Sequence, residues 1–194
     1  MESLYRAIQL LQQRLADAGV LSMVIGGVAV GLWGDPRATR DADLKVLLER
    51  QDADRLLAVL APDYVSLLPN PREALRRQAM VFVQDPAGIR LDLLLADTPY
   101  DVLAIQRGRD VEVAKPRTSQ PGITLRLCSP EDLVIYKLIS TRPRDHEDAQ
   151  GIIRRQGQAL DDDYVLNWLR QFEQALDDST LVSEYKRLRR KFAL

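Results

Sequence analysis

The chain has 194 residues and a net charge of −1, from 27 lysine and arginine residues against 28 aspartate and glutamate residues. A hydrophobic fraction of 46% excludes a disordered chain, and the balanced charge argues against a module that only binds nucleic acid. The single cysteine, Cys128, excludes an intramolecular disulfide, and with the single histidine, His146, it nearly excludes a Cys/His zinc site. Carboxylates are therefore the realistic metal ligands, and they favour hard cations such as Mg²⁺.

The hydrophobic pattern predicts a mixed α/β region up to residue 128. Its expected elements, in chain order, are helix 2–18, strand 22–26, helix 28–33, strand 42–48, helix 51–60, an extended piece 64–68, helix 71–77, strands 79–84 and 89–95, helix 99–107, and strands 110–114 and 123–127. The two strands around Asp85-Pro86-Ala87-Gly88 are expected to form a hairpin, since proline and glycine favour turns.

From Ser129 onward the pattern predicts helices alone, at 130–141, 145–156, 162–176 and 179–191. Ser129-Pro130 is typical of a helix start, with a capping hydroxyl before proline. We therefore expect a core domain over 1–128 and a helical region over 129–194. The uncharged run 18–34 is shorter than the about 20 apolar residues of a membrane span, so we expect a soluble, cytoplasmic protein with no membrane partner.

Three Asp-x-Asp pairs occur, at 41/43, 52/54 and 161/163. The last two pairs begin predicted helices, where favourable interaction with the helix dipole explains them. Asp41 and Asp43 instead begin a predicted strand and share one face of it, because side chains alternate along a strand. Carboxylates in this arrangement can converge on divalent metals, and the alternative is neutralisation in a solvated loop by Arg37, Arg40 or Lys45.

Gly26-Gly27 follows a short apolar strand and precedes a predicted helix. Glycines at such a place let backbone N–H groups at a helix N-terminus approach an anion. Neither GxGxxG nor GxxxxGK[ST] occurs, which argues against the Rossmann and P-loop folds.

Two segments together, Ile25-Gly26-Gly27-Val28-Ala29 and Arg37-Ala38-Thr39-Arg40-Asp41-Ala42-Asp43-Leu44, resemble the signature of the DNA polymerase β-like nucleotidyltransferases. More closely, they resemble the minimal nucleotidyltransferases of the AbiEii and MenT kind, which are toxins of bacterial toxin–antitoxin pairs. The resemblance implies an α/β nucleotidyltransferase fold with a mixed β-sheet flanked by helices. It also implies that Gly26-Gly27 holds the triphosphate of an NTP and that Asp41 and Asp43 bind Mg²⁺.

The resembled family has a third carboxylate on a later strand, and Asp92 is the candidate here. Leu91 and Leu93 face the opposite side of that strand, so Asp92 needs a polar or charged partner. It would bind a second Mg²⁺ or take the proton of an attacking hydroxyl; the alternative is an ion pair with Arg90 on an exposed edge. Asp85 and Asp97 are weaker candidates, because they lie in turns.

The segments 131–138 and 142–148 resemble a later part of the same family's pattern. Lys137, one of five lysines, would point at phosphates or extend its stem over the core. Asp145 and Asp148 share a helix face, where they would support Lys137, contact the acceptor, or only complement the helix dipole. Arg37, Thr39 and Ser22 would shape the nucleotide pocket, and His146 is expected to be structural.

These features predict a Mg²⁺-dependent nucleotidyltransferase with two metal ions. It would move a nucleoside monophosphate from an NTP to a hydroxyl of an acceptor, either a tRNA 3′ end or a partner protein. The resemblance implies a toxin with a cognate antitoxin as partner. Two alternatives stay open: an enzyme that modifies a small molecule such as an antibiotic, and a non-catalytic nucleotide-binding module. The basic segment 185–192 would hold RNA or an acidic partner, or form a solvated terminal helix.

Overall fold

The computed structural model describes residues 1–36, 38–115 and 122–192. Up to residue 128 these form α1 (Glu2–Asp17), β1 (Ser22–Ile25), α2 (Gly26–Trp33), β2 (Asp41–Val46), a 3₁₀ turn (Arg50–Asp52), α3 (Ala53–Leu60), β3 (Val65–Ser66), α4 (Pro71–Gln78), β4 (Met80–Gln84), β5 (Arg90–Leu95), α5 (Pro99–Gln106), β6 (Arg109–Ala114) and β7 (Ile123–Leu127). Four further helices follow: α6 (Pro130–Leu138), α7 (Pro143–Gln156), α8 (Asp162–Leu176) and α9 (Leu181–Lys191). The predicted order of helices and strands is confirmed, although α2 begins at Gly26 rather than at residue 28.

The described strands form one mixed sheet in the order β3-β4-β5-β2-β1-β7-β6. The pairs β2/β5 and β1/β7 are parallel, and the other neighbouring pairs are antiparallel. Strand β5 therefore lies inside the sheet, between β4 and β2. The alternative that placed Asp92 and Arg90 on an exposed sheet edge is therefore wrong, since the order of strands depends on pairing between distant segments.

Strands β4 and β5 form the predicted hairpin around Asp85. The Asp85 carboxylate accepts hydrogen bonds from the backbone N–H groups of Ala87 and Ile89, at 2.9 and 2.7 Å. Gly88 has φ +82°, a backbone conformation that residues other than glycine rarely adopt. Asp85 thus has a structural role in this turn.

The two faces of β2 and β5 have opposite character. One face is apolar and almost completely buried, and consists of Ala42, Leu44, Val46, Leu91, Leu93 and Leu95. The other face carries the polar side chains of both strands. Because a slip of one residue would exchange the two faces, burial of the apolar face fixes which side chains stand on the polar one.

The chain divides into two compact units. The first contains Met1–Val28 and Thr39–Cys128, and so includes the whole sheet; there, α1 packs on β1 and β7. The second contains Ala29–Ala38 and the residues from Ser129 onward, where α6 packs on α7 and α8. Within the described part of the chain, no helix has the length and apolar character needed to cross a membrane.

Replacing Leu44 by alanine should lower the free energy of unfolding by about 2–5 kcal/mol, because Leu44 is fully buried between the positions of Asp43 and Lys45. Urea unfolding followed by circular dichroism measures the change. Leu10→Ala is the control, since Leu10 is 58% exposed. A Leu44→Ala variant as stable as Leu10→Ala would contradict the buried face described above.

Candidate active site

Three carboxylates lie on one face at the centre of the sheet. The parallel register pairs Asp43 with Asp92 and Asp41 with Arg90. Directly paired residues of neighbouring strands point to the same face, and such strands lie about 4.8 Å apart. Asp41 and Asp43 are two residues apart and therefore share that face as well. The structure thus places on one face of the sheet the three aspartates that the sequence singled out.

Gly26 lies directly against Asp43. Its φ is +63°, and a Cβ built on it would be 1.9 Å from Oδ2 of Asp43. The Asp43 carboxylate therefore packs on the Gly26 backbone, in space that a side chain would fill. Gly26 and Gly27 are also the first residues of α2, where backbone N–H groups have no partner within the helix. A carboxylate and a helix N-terminus consequently meet at one point.

Thr39 positions the first aspartate. Its Oγ1 lies 3.0 Å from both Oδ1 and the backbone oxygen of Asp41, within hydrogen-bonding distance of each. Arg37, the other residue predicted to shape the pocket, lies outside the described residues. Ser22 pairs with Val46 and so stands on the apolar face, opposite to Asp43.

Arg90 holds Asp92 through two hydrogen bonds. Its Nε and second terminal nitrogen donate to the two carboxylate oxygens at 2.7 and 2.8 Å. The guanidinium also lies 4.6 Å from the centre of the Phe82 ring, within the range of a cation–π contact. The hydrogen bond to Asp92 raises the pKa of Arg90, and the charges of Asp41 and Asp43 act in the same direction. The ion pair of Arg90 with Asp92, one of the alternatives drawn from the sequence, is therefore present, but on an interior strand.

Two further ion pairs of the first unit join residues that are distant in the sequence. Lys45, on the same face of β2 as Asp43, lies 2.8 Å from Oδ1 of Asp101 in α5. Asp97 accepts a 2.8 Å hydrogen bond from Nε of Arg50, which holds its pKa below the usual range. Asp97 therefore serves an ion pair outside the three-aspartate face. No local sequence signal connects either pair.

Lys137 lies in a buried cluster of the second unit. Its ammonium is 2.5 Å from Asp145 and 2.9 Å from Asp148. Burial alone would raise the pKa of Asp145, but hydrogen bonds from Lys137, Ser140 and Arg142 outweigh it and hold that pKa below its usual value. His146 hydrogen-bonds the carbonyl oxygen of Ser140 at 2.7 Å. Phosphate binding by Lys137 stays a prediction, since two carboxylates bind its ammonium within this unit.

The donor atoms on this face are of the chemical type that binds a hard divalent cation. Asp41, Asp43 and Asp92 offer carboxylate oxygens, the ligands that Mg²⁺ prefers. Within 1–36, 38–115 and 122–192, however, no three Asp, Glu, His or Cys side chains are already gathered as a metal site. Arg90 binds both oxygens of Asp92, so this carboxylate is turned to another partner.

No protein-family model matches the chain, and no curated protein matches it in sequence. Its fold does match solved structures. An antigenic nucleotidyltransferase-like protein from Paracoccidioides brasiliensis superposes with a TM-score of 0.50 at 19% sequence identity, over 93% of this chain and 96% of that one. The antibiotic-resistance factor ANT(2'')-Ia superposes with a TM-score of 0.56 at 16% identity, over 91% of this chain and 96% of that one. The expected nucleotidyltransferase fold is thereby confirmed.

Gly26→Ala should destabilise the protein by about 1–2 kcal/mol through its left-handed backbone alone, and should also displace the Asp43 carboxylate. We expect a lower melting temperature, measured by thermal shift. Gly31→Ala in the same helix is the control: an added Cβ meets nothing within 4 Å, so the helix gains up to about 1 kcal/mol. Equal behaviour of the two variants would show that Gly26 has no special role.

Asp145→Asn should remove an acid-dependent part of the stability. The folded pKa is lowered, so the stabilisation is complete above the unfolded pKa of about 3.9 and is lost as the pH falls through the folded value. The difference in unfolding free energy between wild type and variant should therefore be constant from pH 8 to pH 5 and shrink below about pH 4. Urea titrations at each pH measure it.

Glu147→Gln, which changes an exposed carboxylate of the same helix beyond its first turn, is the control for this pH dependence. A gap between wild type and Asp145→Asn that stays constant down to pH 2 would mean that Asp145 does not act through its charge.

Proposed function

We propose that the protein is a Mg²⁺-dependent nucleotidyltransferase, which moves a nucleoside monophosphate from an NTP to a hydroxyl and releases pyrophosphate. The observation that carries this proposal is the register of β2 and β5, which pairs Asp43 with Asp92 and leaves Asp41 on the same face. Three neighbouring carboxylates repel one another, and this repulsion disfavours folding unless a cation compensates it. The fold shared with nucleotidyltransferase-like structures supports the same conclusion.

Asp41 and Asp43 are the residues that would hold Mg²⁺, with Asp92 as the third ligand, for a second ion, or as the proton acceptor. Bound there, Mg²⁺ would neutralise phosphate charge and favour in-line attack at the α-phosphate. In the reaction, the acceptor oxygen bonds to the α-phosphorus while the bond to the bridging oxygen of pyrophosphate breaks. The hydroxyl proton leaves to a carboxylate of this face.

Gly26 and Gly27 are the residues that we assign to the triphosphate. They begin α2, and the N-terminus of a helix attracts anions through its N–H groups and its dipole. Gly26 also lies against Asp43, so phosphate oxygens held by these amides would stand beside the carboxylates. The Thr39 hydroxyl hydrogen-bonds the Asp41 carboxylate and so helps to orient it.

For the acceptor, we propose first a tRNA 3′ end or a partner protein, with the protein acting as the toxin of a toxin–antitoxin pair. This choice follows the resemblance of the motifs around Gly26 and Asp41 to those toxins. An antibiotic is the second candidate, supported by the shared fold of the antibiotic-resistance factor ANT(2'')-Ia.

In α9, Arg187 pairs with Glu184 and Arg189 with Asp162, so part of the positive charge of the basic segment 185–192 is already neutralised.

The test is transfer of label from each α-³²P-labelled NTP with Mg²⁺, offered total tRNA, the protein of the neighbouring gene, or aminoglycosides. Asp41→Asn and Asp43→Asn should each lower transfer by at least about 100-fold, since both remove a charged ligand. The matched control is the pair Asp52→Asn and Asp54→Asn, an Asp-x-Asp pair at a helix start, which should keep near wild-type transfer.

Transfer that persists in Asp41→Asn would refute the assigned site. Mg²⁺-dependent NTP binding without transfer to any acceptor would instead favour the non-catalytic nucleotide-binding module. Absence of both binding and transfer would overturn the proposed function altogether.

A further inference from the structure

Arg90 is a cation on the three-carboxylate face itself. It follows from the register that Arg90 stands beside Asp41, two residues before Asp92 on β5. The guanidinium binds both oxygens of Asp92 and rests against the Phe82 ring. Its side chain is 45% exposed, whereas that of Asp92 is 12% exposed. Solvent therefore reaches the Arg90 side chain, while the Asp92 carboxylate beneath it is largely shielded from solvent.

The charge on this face explains why such a contact forms. Asp41, Asp43 and Asp92 stand on adjacent strands, and like charges at that spacing repel each other. A divalent cation would remove this repulsion, and so does the positive charge of Arg90. The raised pKa of Arg90 has Asp41 and Asp43 among its causes, so all three carboxylates act on this one guanidinium. Arg90 thus reduces the same repulsion among carboxylates that a bound metal ion would reduce.

We propose that Arg90 is a displaceable internal cation, which neutralises Asp92 in the metal-free protein and competes with the divalent cation for that carboxylate. The inference rests on the proposed function, because it concerns the same cation site. Arg90 is a positioning residue in this scheme: it acts through Asp92 and takes no part in bond making. Binding of the cation requires the guanidinium to leave Asp92, and this exchange lowers the apparent metal affinity while it stabilises the empty site.

The structure offers a matched ion pair elsewhere in the same unit. Arg50 binds both oxygens of Asp97, and its side chain is 42% exposed, close to the value for Arg90. Arg50 also donates a 2.7 Å hydrogen bond to the carbonyl oxygen of Arg77. This pair has the geometry of the Arg90–Asp92 pair without the neighbouring Asp41 and Asp43, so Arg50→Gln controls for loss of an ion pair alone.

The test is direct titration of the full chain with Mn²⁺, without nucleotide, with the free ion followed by electron paramagnetic resonance. Arg90→Gln should bind Mn²⁺ about tenfold more tightly than wild type, a change of about 1.4 kcal/mol. Arg50→Gln should leave the affinity unchanged. Without metal, Arg90→Gln should melt at a lower temperature than wild type, and Mn²⁺ should raise its melting temperature by more.

Two further variants separate competition for Asp92 from a general effect of charge. In an Asp92→Asn background, Arg90→Gln should no longer tighten Mn²⁺ binding, because the contested carboxylate is gone. Phe82→Leu should tighten binding by less than Arg90→Gln, since it removes the ring that supports the guanidinium and keeps the charge. It also serves as the test if Arg90→Gln does not fold.

If Arg90→Gln binds Mn²⁺ with the same affinity as wild type, or more weakly, the proposal is overturned while the proposed function stays intact. A tenfold gain that persists in the Asp92→Asn background would overturn it as well, because the effect would then not pass through Asp92. Failure of every variant and of wild type to bind Mn²⁺, together with no label transfer, would refute the proposed function and the inference with it.

Discussion

Repulsion among three carboxylates is the constraint around which the first unit is organised. Asp41, Asp43 and Asp92 share one face of adjacent strands at the middle of the sheet, where their charges oppose folding unless something compensates them. Compensation comes from two directions: Arg90 binds Asp92, and Thr39 hydrogen-bonds Asp41. Energy to hold the strands in place comes from the apolar side chains on the reverse face. The site is therefore an arrangement that the core sustains, rather than one that stabilises the fold.

The reverse face also explains why the arrangement is exact in register. Leu44 and Leu93 are fully buried, and a shift of one residue would send leucines into solvent and aspartates into the core. Register, and with it the pairing of Asp43 with Asp92, is thus determined by residues on the opposite face of the two strands. The neighbouring pair of Lys45 and Asp101 ties β2 to α5 on the polar side. Charged side chains and apolar packing are divided between the two faces of the same two strands.

Much of this could be predicted from local sequence patterns. Alternation along β2 placed Asp41 and Asp43 on one face, the turn at Asp85 predicted the hairpin, and Ser129 predicted the start of α6, where its hydroxyl accepts the N–H of Asp132. What escaped prediction was contact between distant segments: the interior position of β5, the pair of Lys45 with Asp101, and the ring of Phe82 under Arg90. Strand order and cross-strand pairing depend on the competition among all segments, which no short window of sequence contains.

Gly26 and Asp43 occupy a single space, since the carboxylate fills the place of a Cβ that glycine lacks. The two positions are consequently coupled by sterics. A larger residue at 26 is tolerated only if residue 43 becomes small or turns away, and either change removes a carboxylate from the face. A side chain at position 26 and a carboxylate at position 43 in its present orientation therefore exclude each other, and the two residues act as one structural unit.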